Sequence, residues 1–144
     1  MQAAGGGVME LDAAKARHPG AEAFRFGDNA KLNAEVLALV LRGAKTVTCD
    51  AVAGFAARGE PLPEPGRVDI ACDWEWRPVC ALRTVEVLRM PFADMPDDLI
   101  AAQGEFADLE DWRRGYAAYL GRTVGFEPGL EMLVERFDLV EVFA

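Results

Sequence analysis

The chain contains one histidine, three cysteines and two tyrosines, and none of its apolar runs approaches the roughly 20 residues that a membrane span needs. Each shortage excludes something. The single histidine, His18, falls in a stretch expected to be mobile, which leaves serine–histidine and cysteine–histidine machinery without a base. Cys49, Cys72 and Cys80 are odd in number and form no C-x-x-C pair. They are expected to be reduced thiols of a cytoplasmic protein. Together with His18 they supply too few ligands for structural zinc, so neither a metal nor a cofactor is expected. Positive charge is also scarce. Residues 1–72 carry 8 Lys/Arg against 9 Asp/Glu, and residues 73–144 carry 7 against 15, for a net charge of −9. This acidity argues against broad attraction to DNA, long RNA or an anionic membrane, and leaves room for a small basic pocket around one nucleotide. Neither a Walker loop nor G-x-G-x-x-G is present.

What remains is a chain of 144 residues, 51% hydrophobic and 27% charged. That length suits one domain, which buries roughly two-thirds of its unfolded surface and needs no staple. Residues 1–8 (MQAAGGGV) lack the basic and apolar regions of a signal peptide, and their glycines predict a disordered start. Residues 1–19 are read as an N-terminal extension, with a short helix over 9–17, and residues 20–144 as the domain. Asp28 or Asn29 starts a helix that runs to about Arg42, with Leu32, Val36, Leu39 and Val40 on one face and Gly43 at its end. After the proline-rich loop 61–66 the period switches to two, which predicts strands over 68–74, 79–90 and 131–143. Trp74 is expected in the core. Pro96 starts a short helix, and Leu109, Trp112, Tyr116, Tyr119 and Leu120 mark the inner face of another. This order is α+β, with a curled, partly closed sheet covered by helices.

Two segments carry candidate chemistry. In Gly43-Ala44-Lys45-Thr46-Val47-Thr48 a helix end meets an extended segment. Lys45 and Val47 would face one way and Thr46 and Thr48 the other, so Lys45 reaches Thr48 only if the backbone turns near Gly43. The segment is either a site or a solvated lysine beside strand threonines. In Gln103-Gly104-Glu105-Phe106-Ala107-Asp108, Asp108 is the N-cap of the next helix, while Glu105 has no such duty. It is either a solvent-facing acid or a carboxylate aimed into a cleft. Trp76, between strands, is a stacking platform or simple cover. Cys49 is read as a small buried thiol.

These residues also resemble a known family. F-R-F-G-D (24–28), L-V-L-R-G-A-K-T-V-T (39–48), G-E-P-L-P-E-P-G (59–66), P-V-C-A-L-R-T-V-E-V (78–87), A-A-Q-G-E-F-A-D-L-E-D-W-R (101–113) and V-E-R-F-D-L-V (134–140) look like the bacterial ASCH-domain proteins, in family order. The resemblance implies a PUA-like small curled β-barrel with flanking helices. It implies a nucleoside or single-stranded RNA ligand, and amide hydrolysis of an N-acylated nucleoside such as N4-acetylcytidine. The alternatives are a non-catalytic RNA- or nucleotide-binding module and a ribonuclease. The family's Lys-x-x-Thr and downstream Glu fall on Lys45, Thr48 and Glu105, as nucleophile Thr48, base Lys45 and proton-shuttling or amine-orienting Glu105. Lys45 is alternatively a cation that polarises the carbonyl. Phe26, Thr46, Trp76 and Arg83 are the expected ligand contacts. Two positions depart from the family pattern: Asp50 stands where an arginine is frequent, and Tyr116 where a histidine is frequent.

Overall fold

A computed structural model describes residues 9–143; the disordered start expected over residues 1–8 lies outside the described residues. Helix α1 (Leu11–Arg17) leads into strand β1 (Ala23–Arg25), helix α2 (Ala30–Leu41), strand β2 (Val47–Ala51) and helix α3 (Val52–Ala57). Strands β3 (Val68–Cys72) and β4 (Pro78–Pro91) follow, then a single 3-10 turn (Phe92–Asp94) and helices α4 (Asp97–Ala101) and α5 (Leu109–Thr123). Strand β5 (Glu131–Val142) ends the fold. The strands form one sheet in the order β1-β3-β4-β5-β2, parallel between β1 and β3 and antiparallel elsewhere. The architecture is α+β and PUA-like. The curl stops short of a closed barrel, because β1 and β2 stand at opposite ends of the order and share no ladder.

The helices begin and end where their capping chemistry dictates. Asn29 caps α2, its side chain accepting from Leu32 N at 2.9 Å. At α5, Asp108 accepts from Asp111 N at 2.8 Å and Asp111 accepts from Ala107 N at 3.0 Å, a reciprocal cap. Trp112 and Leu120 of α5 are fully buried against Val47, Ala51, Met132 and Val134 on one face of β2 and β5. The buried face of α2 is Asn33, Val36, Leu37 and Val40, rotated from the expected Leu32–Leu39 stripe. Asn33 is inside because its amide donates to Phe26 O (2.9 Å) and Cys72 O (3.2 Å), joining the helix to β3.

Two local expectations change. Strand β3 stops at Cys72, because Asp73 Oδ1 accepts from Glu75 N and Arg77 N, both at 2.9 Å, and closes a tight turn. Trp74 therefore leaves the core, and its ring lies 3.6 Å from the Arg25 guanidinium. His18 is anchored rather than mobile, with Nε2 2.8 Å from Glu141 Oε1 on β5. No helix among the described residues is long and apolar enough to cross a membrane.

Candidate active site

Helix α2 ends at Gly43, whose φ of +78° turns the chain while Ala44 N and Lys45 N both donate to Leu39 O (2.9 and 3.2 Å). The turn aims the Lys45 side chain inward. Thr46 N and Val47 N then donate to Ala102 O (2.9 and 3.2 Å), fastening the start of β2 to the end of α4. Gly104 lies so close to this segment that a Cβ on it would sit 2.5 Å from Ala44 O, and its φ is +71°. Only glycine fits both constraints. The close approach carries Glu105 to Lys45 across 60 residues of chain.

Lys45 is 1% exposed. Its Nζ contacts Glu105 Oε2 at 2.6 Å, Val47 O at 2.7 Å and Gln103 O at 3.4 Å. An ammonium has three protons to donate, and three acceptors surround this one. Lys45 is therefore a charged donor with its capacity spent, which favours the cation over the base. Glu105, with 18% side-chain exposure, keeps Oε1 free of protein partners among the described residues.

Glu105 lies on the wall of an open cleft of about 1450 Å³ lined by the sheet and by α2, α3 and α5. Successive strand residues alternate between faces, so Val47, Cys49 and Ala51 turn to the core under α5, while Thr48 and Asp50 line the cleft. The Thr48 hydroxyl has no hydrogen-bond partner among the described residues. Asp50 is held by Arg58 at 3.0 Å and by its neighbour's N–H, Ala51 N, at 2.8 Å. Tyr119 adds a longer contact to Asp50 at 3.3 Å. Across the ladder from Thr48 stands Glu135 of β5, also on the cleft wall, with Oε2 accepting from Thr84 Oγ1 at 2.5 Å. Burial, with Asp69 nearby, pushes the Glu135 carboxyl above the usual range, although the Thr84 hydroxyl and Arg67 oppose the shift.

Tyr116 takes the position where a histidine is frequent in the resembling family. Its phenol donates to Cys49 O at 2.9 Å. Burial first, then the nearby Cys49 and Glu105, hold it well above the usual tyrosine range, so it is a neutral donor. Burial also pushes the Cys49 thiol up to about 12, which removes it as a nucleophile. Among the described residues no cluster of three His, Cys, Asp or Glu side chains is placed to hold a metal ion.

Of the expected site residues, Lys45 and Glu105 touch, and Thr48 and Glu105 share the cleft wall. Phe26 reaches the cleft chiefly as core, packed on Phe24 and Phe137. Trp76 stands at the cleft mouth on a strained φ of +63°, 45% exposed, with the Arg25 guanidinium 4.4 Å from its ring. Thr46 and Arg83, expected as ligand contacts from the resemblance, are exposed and lie outside the cleft lining. Thr46 stands one residue before β2 begins, its N–H held by Ala102 O, and on β4 Arg83 falls between the buried Leu82 and Thr84 and so turns outward. Glu135, Asn33 and Arg25 went unread. A weak signal for Glu135 was its phase, since Leu133, Glu135 and Phe137 alternate and put an acid among core positions.

A family model described as the ASCH domain matches residues 22–141. The chain is similar to the crystal structure of an Enterococcus faecalis V583 protein of family DUF984. That match has a TM-score of 0.82 and 23% identity over 92% of this chain and 86% of the other. It is also similar to an ASCH domain from Lactobacillus crispatus JV V101, with a TM-score of 0.76 and 19% identity over 91% and 86% of the two chains. No curated protein matches the chain.

Proposed function

The chain belongs to the ASCH-domain family, and from that premise we propose that its cleft binds a nucleoside and hydrolyses an amide on the base, as in N4-acetylcytidine. The observation that carries this reading is the 2.6 Å contact of Lys45 Nζ with Glu105 Oε2, on the wall that Thr48 also lines. A buried ammonium fixes the carboxylate and lends positive charge where a carbonyl oxygen would gain negative charge. The free Oε1 of Glu105 accepts an N–H of the departing amine. Thr48 Oγ gives up its proton and bonds to the carbonyl carbon, the C–N bond breaks as the nitrogen takes up a proton and leaves as free amine, and water then hydrolyses the Thr48 ester to the acid and the free hydroxyl. Lys45 acts as the cation, because all three of its protons are engaged.

The cleft itself favours a small neutral ligand over a polyanion, since Asp50, Asp69, Glu105 and Glu135 all line it. A binding module for nucleotide or single-stranded RNA, or a ribonuclease, is the second reading. It is favoured by Arg25, which lines the cleft stacked on Trp74 and has no carboxylate partner among the described residues. The deciding experiment incubates the protein with N4-acetylcytidine and a panel of N-acylated nucleosides, with Thr48→Ala as control. Release of free amine that falls at least ~100-fold in Thr48→Ala, with melting temperature unchanged, supports hydrolysis. No turnover, with salt-dependent affinity for single-stranded RNA, moves the assignment to the binding module.

A further inference from the structure

Thr48 needs an acceptor for its proton before it can attack. Lys45 holds three hydrogen bonds and is not free to accept one, and the one free oxygen of Glu105 is taken, in the reading above, by the departing amine. The β2–β5 register sets Thr48 directly opposite Glu135, and both line the cleft. Directly opposed residues on one face of an antiparallel pair have Cβ atoms about 4.5–5.5 Å apart, within the span of a glutamate and a hydroxyl. The Glu135 carboxyl is also oriented. Its Oε2 accepts from the buried Thr84 Oγ1 at 2.5 Å on the β4 side of β5, while Oε1 has no partner among the described residues and meets the Thr48 hydroxyl, on the β2 side, only after the side chain rotates.

We propose that Glu135 is a second catalytic carboxyl, the group that carries the proton between Thr48 and the leaving nitrogen. This rests on the hydrolase reading above and supplies the base that reading lacks. In the first half-reaction Glu135 takes the Thr48 hydroxyl proton as the Oγ–C bond forms. It returns that proton to the nitrogen as the C–N bond breaks, and the free amine leaves. In the second, Glu135 takes a proton from water as the water oxygen bonds to the acyl carbon. The Oγ–C bond then breaks, Thr48 regains a proton and the carboxylic acid departs. The sum is amide plus water giving acid plus amine, with no other reactant.

The charges around Glu135 are compatible with this role. On β3 and the loop before it stand Asp69 and Arg67, paired at 2.7 Å. On β2 the same face carries Asp50, which is held by Arg58. Burial leaves the Glu135 carboxyl easier to protonate than an ordinary glutamate, which suits a group that must both accept and return a proton.

The test is Glu135→Gln, which keeps size and an acceptor for the Thr84 hydroxyl, assayed on N4-acetylcytidine over pH. The expected result is kcat lower by about 10²–10⁴-fold, KM and melting temperature little changed, and the acid limb of the pH profile gone. Thr84→Val supplies a second readout. It removes a hydrogen bond to the ionised carboxylate, so the acid limb moves to higher pH. Glu135→Gln with kcat within about threefold of wild type and the acid limb intact overturns the role of Glu135 and leaves hydrolysis standing. A wild-type protein that turns over none of the panel overturns both. Loss of folding in Glu135→Gln together with an unmoved limb in Thr84→Val marks the residue as structural and also overturns the proposal.

Discussion

Replacing Lys45 by methionine keeps the length of the side chain and removes its charge. The charge is the informative part, because Lys45 is 1% exposed and bonded to Glu105, Val47 O and Gln103 O. Removing one member of a buried ion pair costs about 3–5 kcal/mol, since the other charge stays behind without compensation. Glu105 keeps 18% exposure, so water reaches part of it and lowers the expected cost of Lys45→Met to about 2–4 kcal/mol. Glu105→Gln leaves Lys45 a neutral acceptor oxygen and is expected to cost about 1–2 kcal/mol. The double variant buries no charge at this point. It should therefore be more stable than the sum of the single losses predicts, by about 1–3 kcal/mol. Urea unfolding of the four proteins at neutral pH measures the cycle, provided the slopes with denaturant agree. In a chain of this length each kcal/mol should also lower Tm by about 2–4 °C. A Lys45→Met protein within about 0.5 kcal/mol of wild type, or a cycle that closes additively, would refute the view that the pair anchors the site.

Gly104→Ala is expected to cost about 2–4 kcal/mol, because a left-handed alanine adds about 1 kcal/mol and its Cβ would meet Ala44 O at 2.5 Å. Gly20→Ala has a similar φ of +87° and open space around it, so thermal melts should show about 1 kcal/mol there; equal costs at the two positions contradict the close-contact argument. Burial pushes Cys49 and Cys80 up to about 12 and Cys72 up to about 11. Iodoacetamide near pH 8 should therefore leave all three unmodified until urea is added, and rapid native labelling of Cys49 read by mass spectrometry counts against its burial. Hydrogen bonds from Arg17 and then His18 hold the Glu141 carboxyl below the usual range. A depressed native pKa gives stability that is present above the unfolded value and lost as pH falls through the folded one. Glu141→Gln should thus be less stable than wild type at neutral pH, with the urea curves converging in acid; a gap that widens in acid contradicts the assignment.

Most elements were legible because their periods are local. Trp112, Tyr116, Tyr119 and Leu120 repeat at helical spacing and belong to α5, and the alternation after Gly66 belongs to β3 and β4. What was not legible depends on pairings distant in the chain. The opposition of Thr48 to Glu135 is fixed by the β2–β5 register, 87 residues apart in sequence, and no pattern within either strand encodes it. Arg83 alternates with the buried Leu82 and Thr84, so its outward turn is legible in the strand period, and only the family resemblance gives it a ligand role. The burial of Asn33 depends on two carbonyls from other segments, Phe26 O and Cys72 O. In the sequence only the family resemblance pairs Lys45 with Glu105. Their contact requires the Gly104 approach to Ala44, which reads in sequence as one more loop glycine.

The cleft's arginines bear on which ligand it selects. Arg58 is held by Asp50 at 3.0 Å, Arg67 by Asp69 at 2.7 Å and Arg122 by Asp28 at 3.6 Å. A cation paired within the protein contributes little field at a distance, so most of the positive charge on the walls is cancelled where it stands. With a net charge of −9 outside and acids along the inner wall, a long polyanion gains little by approaching. Selectivity then falls to shape, to the rings of Trp74 and Trp76, and to lining atoms without partners among the described residues, Glu105 Oε1, Glu135 Oε1 and the Thr48 hydroxyl among them. Thr48 faces Glu135 across the β2–β5 ladder and lies three residues from Lys45, whose Nζ holds Glu105, so these three polar atoms come from segments that the fold fastens together.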